Sequence, residues 1–196
     1  MRDIVQLGVI LMIYSLAAGA ALGYVNLKTK PIITANKTAA ENSARLEVLP
    51  GMTGGFDSKG NLAVDGREFP WWIGYKDDAK KEPAGYVFIA KGKGYSSVVE
   101  TMVGVGMDGK ITGSKILSQQ ETPGLGTKIL ENRPNENDPS WFTRQFIGKS
   151  AEDNIKVKKD GGFIDAVTGA TVTPRAITNS INKGLVKLKE TVGGKS

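Results

Sequence analysis

The amino-acid sequence predicts an α+β protein, with one N-terminal transmembrane helix followed by a single domain built on a mainly antiparallel sheet with flanking helices. Three observations predict it. Residues 4–25 carry no charge. Residues 98–107 place Val99, Thr101, Val103 and Val105 at every second position, directly before Asp108-Gly109, which is the alternation and turn of an antiparallel hairpin. Ile177, Ile181, Leu185 and Leu188 recur at the spacing of an amphipathic helix.

The uncharged stretch has about 22 residues and would run about 33 Å as a helix, the thickness of a bilayer core. Gln6 is its one strongly polar side chain, and Arg2, Asp3, Lys28 and Lys30 flank it. Residues 1–27 therefore read as a membrane anchor. The rival reading is a cleaved signal peptide, for which the small run Ala17-Ala18-Gly19-Ala20-Ala21 would serve, although the apolar stretch exceeds the usual length of such a peptide. Pro31 should break the chain away from the anchor. A second, connecting helix is expected within residues 28–50, opened by the capping box Thr38-Ala39-Ala40-Glu41 and closed by Pro50-Gly51.

Residues 51–196 form the expected domain. About 165 residues lie outside the membrane segment, enough for one core. Residues 51–66 are Gly-rich and polar and read as a loop or loose hairpin. Residues 71–75, 85–90 and 98–107 read as strands, and residues 111–117 as the strand returning from Asp108-Gly109. Residues 131–140 read as a polar loop with two prolines. The last helix is expected to have Thr173 as N-cap and Pro174 as its first residue, and to end at Gly193-Gly194.

Composition excludes much chemistry. The chain contains no Cys and no His. Disulfides, thiolate-held iron–sulfur clusters, His-ligated haem, the usual zinc sites and a nucleophile paired with a His base are all ruled out. Redox chemistry would need an organic cofactor. The net charge is +6, but the Lys and Arg are scattered and no basic run is interleaved with aromatics, so no nucleic-acid partner is expected.

Two segments carry chemistry. In Asp165-Ala166-Val167-Thr168-Gly169-Ala170-Thr171, Thr171 lies just before a helix start, where unpaired N–H groups and a partial positive charge favour a phosphate. Gly169 and Ala170 remove bulk where a ligand could approach the backbone. The same residues also read as an ordinary turn and helix cap. In Gln120-Glu121-Thr122-Pro123-Gly124-Leu125-Gly126-Thr127-Lys128, two glycines and a proline shape a loop that follows a strand. This too reads as a plain tight turn when taken alone.

Together, in this order and spacing, the two segments resemble the FMN-binding domain shared by the G subunit of the Rnf electron-transport complex and the C subunit of the sodium-translocating NADH:quinone reductase. The family signature Asp-x-x-(Ser/Thr)-Gly-Ala-(Ser/Thr) fits Asp165 to Thr171, and Glu-Thr-Pro-Gly-Leu-Gly fits Glu121 to Gly126 without a gap. The Gly94-Tyr95 start, the hairpin over 102–113 and the single N-terminal helix match as well. The compact chain resembles the Rnf subunit more than the longer quinone-reductase one. Many relatives carry a His just before the Glu-Thr-Pro-Gly-Leu-Gly segment, where this chain has Ser118-Gln119-Gln120.

The resemblance implies a membrane-anchored electron carrier without an active site of its own, working in a complex that links ferredoxin and NAD to ion movement. It implies covalent FMN, joined by its phosphate to Thr171 by a flavin transferase. Gly169 and Ala170 would admit the phosphate, and Thr173 would cap the helix beneath it. Asp165 and Thr168 would serve recognition by the transferase. Glu121, Thr122, Pro123, Gly124, Leu125 and Gly126 would pack beside the flavin ring; Tyr95 and Trp141 read either as further ring neighbours or as core residues. Its partners would be the membrane and redox subunits of the complex. It implies the cytoplasmic (inner) membrane of a prokaryote with the flavin domain on the outer face, whereas Lys28, Lys30, Lys37 and Arg45 after the apolar segment count toward the cytoplasm. The alternatives are a C-type quinone-reductase subunit and a flavin-binding sensor module of a membrane regulator.

Overall fold

The computed structural model describes residues 2–131, 140–167 and 169–193. The chain divides into two units, Met1–Asn42 and Ser43–Ser196.

The first unit is helical throughout its described length and belongs to α1 (Arg2–Val48). Every residue from 2 to 40 is exposed. An apolar helix with no covered face has the length and composition to cross a membrane. Pro31 lies inside this helix and does not break it, which corrects the expected break. A proline costs a helix one backbone hydrogen bond, and the remaining bonds carry α1 through it. The expected capping box is also corrected. Thr38 sits within the helix and donates its hydroxyl to the Thr34 carbonyl at 3.0 Å, as Thr34 does to Lys30 at 2.9 Å. These threonines bond back along their own helix instead of opening a new one.

The second unit is a five-stranded antiparallel sheet in the order β1-β2-β3-β4-β5, with both faces covered. The strands are β1 (Phe56–Val64), β2 (Arg67–Tyr75), β3 (Pro83–Lys93), β4 (Val98–Gly106) and β5 (Ile111–Ser118). β1 lies within residues 51–66, expected as a loop or loose hairpin, and is the first arm of a hairpin with β2. It is an edge strand that buries only Leu62 and Val64, so its apolar alternation is too short to stand out. Asp65 and Gly66 join it to β2 with φ of +48° and +72°, the left-handed pair that a two-residue hairpin turn requires. The β4–β5 connection is longer than expected, running over residues 107–110 and closed by Gly106 N–H donating to the Lys110 carbonyl at 2.8 Å.

One face of the sheet carries α3 (Val172–Gly193) and the short helix α2 (Trp141–Arg144). Val99, Val103 and Val105 join Phe88, Phe142, Phe146, Ile177, Ile181 and Leu185 in that core. The other face packs the end of α1, with Ala44, Val48 and Leu49 against Val87, Ile89 and Met102. A Cβ on Gly104 would lie 2.1 Å from the Val48 carbonyl oxygen, and Thr112 donates to that same oxygen at 2.6 Å. Backbone contact this close is possible only with hydrogen at the glycine position.

Candidate functional site

The start of α3 differs from expectation by two residues, and the difference falls on the candidate acceptor. The helix begins at Val172. The Arg175 N–H donates to the Thr171 carbonyl at 3.1 Å, so Thr171 takes the first intrahelical bond and stands as the N-cap. Val172, Thr173 and Pro174 are then the first three helical residues. An N-cap hydroxyl ordinarily accepts from the second or third helical N–H. Here the third residue is Pro174, which has none. The half-buried Thr171 therefore sits at the positive end of a 22-residue helix with one of its usual capping donors deleted.

The segment leading to Thr171 is held by its own contacts. The Asp165 N–H donates to Gln145 Oε1 at 2.7 Å, and its carboxylate pairs with Lys158 at 2.7 Å. A tight turn follows, in which Ala170 N–H donates to the Val167 carbonyl at 3.1 Å and Gly169 takes φ of +82°. Left-handed backbone here explains a glycine between two side-chain-bearing neighbours. Thr168 lies outside the described residues. Arg175 fastens the first turn of α3 with a fork to Asp160, Nε and Nη2 donating at 2.6 and 2.7 Å.

The second predicted segment reaches the same helix start through one buried side chain. Glu121 is 5 % exposed. Its Oε1 accepts from the Ser96 N–H at 3.1 Å, the Ser97 N–H at 2.9 Å and the Ser97 hydroxyl at 3.0 Å. Its Oε2 accepts from the Tyr95 N–H at 3.1 Å and the Thr173 hydroxyl at 2.5 Å. Burial pushes the carboxyl up, but the bonds from Thr173, Ser97 and Tyr95 outweigh it and hold the group below its ordinary range. Gly126 lies beneath this carboxylate, where a Cβ would stand 2.6 Å from the Glu121 Cβ and 2.9 Å from the Thr173 hydroxyl.

Of the predicted residues, Asp165, Gly169, Ala170 and Thr171 thus lie on the segment that leads into α3, and Glu121, Gly126 and Thr173 meet in a buried junction. Thr173 serves that junction, not the helix cap. Thr122, Pro123, Gly124 and Leu125 are exposed on the loop above it. Tyr95 is 76 % exposed. Trp141 is a core residue, 6 % exposed, with its indole N–H on the Glu131 carbonyl at 2.9 Å and its ring edge-on to Phe142. Sequence reading missed Ser96 and Ser97. Their signal was their place beside Gly94, whose Cβ would stand 2.6 Å from Glu121 Oε1. An open hollow of about 520 Å³, bordered by Ser97, Val98, Gln120 and Leu130, lies beside the junction.

Comparison with known proteins matches residues 94–186 to the FMN-binding domain family, a span holding both segments. The chain is 30% identical to the G subunit of the ion-translocating oxidoreductase complex of Shewanella amazonensis, over 94% of this chain and 88% of that one. It is 31% identical to the G subunit of the Na(+)-translocating ferredoxin:NAD(+) oxidoreductase complex of Acetobacterium woodii, over 94% and 91% of the two chains. Among solved structures, NqrC of Shewanella oneidensis is similar at 22% identity, with a TM-score of 0.49 over 78% of this chain and 72% of that one.

Proposed function

Because this chain belongs to the family of G subunits of ion-translocating oxidoreductase complexes, we propose that it is the membrane-anchored electron carrier of such a complex, with FMN joined through its phosphate to Thr171. When bound, the flavin supplies the capacity to take up and release electrons. The protein's own residues bind, orient and shield it.

One observation carries the attachment reading: Thr171 is the N-cap of α3, and Pro174 removes a donor that would otherwise engage its hydroxyl. The residues present fit a phosphoester. The N–H groups of Val172 and Thr173 fall in the helix turn that leaves donors without intrahelical partners, and the helix end favours the remaining negative charge. Gly169 and Ala170 keep the approach clear. Tyr95, Leu125 and Val172, each a large apolar side chain left exposed, give an aromatic group a surface to lie against.

Asp165 is the residue of the acceptor segment most suited to recognition by a flavin transferase, since its side chain is 38% exposed while its backbone is tied to Gln145. α1 would anchor the domain in the cytoplasmic membrane, with the domain on the outer face and the other subunits of the complex as its partners. A phosphoester suits that face, because a cofactor held covalently cannot be lost where no free FMN replaces it.

The test is flavin fluorescence in a denaturing gel, on the full chain produced together with a flavin transferase. The wild-type band should fluoresce and Thr171→Ala should not. A dark wild type would overturn the attachment, and a fluorescent Thr171→Ala would move it to another hydroxyl.

A further inference from the structure

We propose that Glu121 is a positioning residue: its carboxylate fixes the surface on which a flavin joined to Thr171 comes to rest, and takes no part in the joining. The inference rests on FMN attachment at Thr171 and concerns what happens to the ring afterwards.

Glu121 links three separate parts of the chain, namely the turn 95–97 between β3 and β4, its own loop, and the first turn of α3. Each part carries one exposed apolar side chain, Tyr95 on the first, Leu125 on the second and Val172 on the third. Loops and exposed side chains of this kind do not hold a mutual arrangement by themselves, because ordering them costs conformational entropy that burial here does not return. The buried carboxylate supplies the fixed point. Gly94 and Gly126 bring the backbone close enough for it to reach all three parts.

The chemistry requires an ionised carboxylate. All five groups bonded to the Glu121 carboxylate donate. A glutamine in its place would present an N–H₂ where Oε2 accepts. Thr173 could turn its hydroxyl to accept instead, but the Tyr95 N–H could not, and would be left facing a second donor. Removing one partner of a buried, hydrogen-bonded group is costlier than the bond itself.

The acceptor run does not depend on this junction. Glu121 touches Thr173 and not Thr171, while Asp165 is held by Gln145, Ala170 by its bond to Val167, and the first turn of α3 also by the Arg175–Asp160 fork. Losing the clamp should therefore spare attachment and free the ring.

The experiment uses the full chain in detergent, produced with a flavin transferase, as wild type, Glu121→Gln, Thr173→Val and Thr173→Ser. Attachment is read by in-gel fluorescence, and ring order by visible circular dichroism and flavin fluorescence anisotropy of the folded protein. Glu121→Gln and Thr173→Val should carry FMN as the wild type does, but lose the visible dichroism and fall in anisotropy. Thr173→Ser, which keeps the hydroxyl, should match the wild type in both. If far-ultraviolet dichroism shows Glu121→Gln unfolded, Thr173→Val, which leaves the other four bonds, decides the matter. Labelled, folded variants with wild-type dichroism overturn this inference alone, as does a folded Glu121→Gln without FMN. An unlabelled wild type overturns the attachment and this inference with it.

Discussion

The hydroxyl of Thr173 donates to the carboxylate of Glu121 across 52 residues of sequence, at 2.5 Å and in a buried setting. This bond ties the loop after β5 to the first turn of α3. It also makes the stability of the domain depend on the charge of one side chain.

Glu121 has its carboxyl held below the ordinary value of 4.5, since burial, which raises it, is outweighed by the bonds from Thr173, Ser97 and Tyr95. For a group whose folded pKa is lowered, the stabilisation is fully present above its unfolded pKa and is lost as pH falls through the folded one. Wild type and Glu121→Gln should therefore differ most in thermal midpoint at neutral pH, and the gap should narrow below the ordinary value of 4.5. Thermal melts across that range check this, and a gap that stays constant as pH falls would contradict it.

Gly126→Ala should destabilise the domain by about 1–3 kcal/mol, the usual cost of overpacking, because its Cβ would meet Glu121 Cβ at 2.6 Å. Gly193→Ala serves as the control. Nothing lies within 4 Å of its Cβ, and alanine is the better helix former by about 1 kcal/mol, so that variant should be neutral or slightly more stable. Denaturant titration of both separates the crowded glycine from the open one.

Pro174→Ala restores an N–H at the third position of α3, where it can engage the Thr171 hydroxyl as an ordinary cap donor. The expected outcome is slower FMN attachment with the fold retained. A time course of in-gel fluorescence against wild type measures it. An unchanged rate would show that the missing N–H at Pro174 plays no part in freeing the acceptor.

Much of the fold was readable from the sequence where a single period dominated. The alternation through Val99, Val103 and Val105 and the stripe Ile177, Ile181, Leu185 and Leu188 placed β4 and α3, because those residues face one continuous core. β1 was not readable, since an edge strand that buries only Leu62 and Val64 owes its form to pairing with β2. Its one local sign was Asp65-Gly66. Pro31 misled because a proline's local preference yields to the helix around it. In the site, the two motifs and Thr171 were legible as residue types at a spacing. The role of Glu121 was not, since its partners at Tyr95, Ser96 and Ser97 are mostly backbone N–H groups that any sequence carries.

The covalent flavin at Thr171 is tested most directly by the intact mass of the mature full chain, purified from cells that make a flavin transferase, beside Thr171→Ala. The wild-type mass should exceed that of a chain still including α1 by one FMN less one water, and Thr171→Ala should have the mass of the bare polypeptide. A wild type at the bare mass, or a Thr171→Ala chain carrying the same increment, would contradict it.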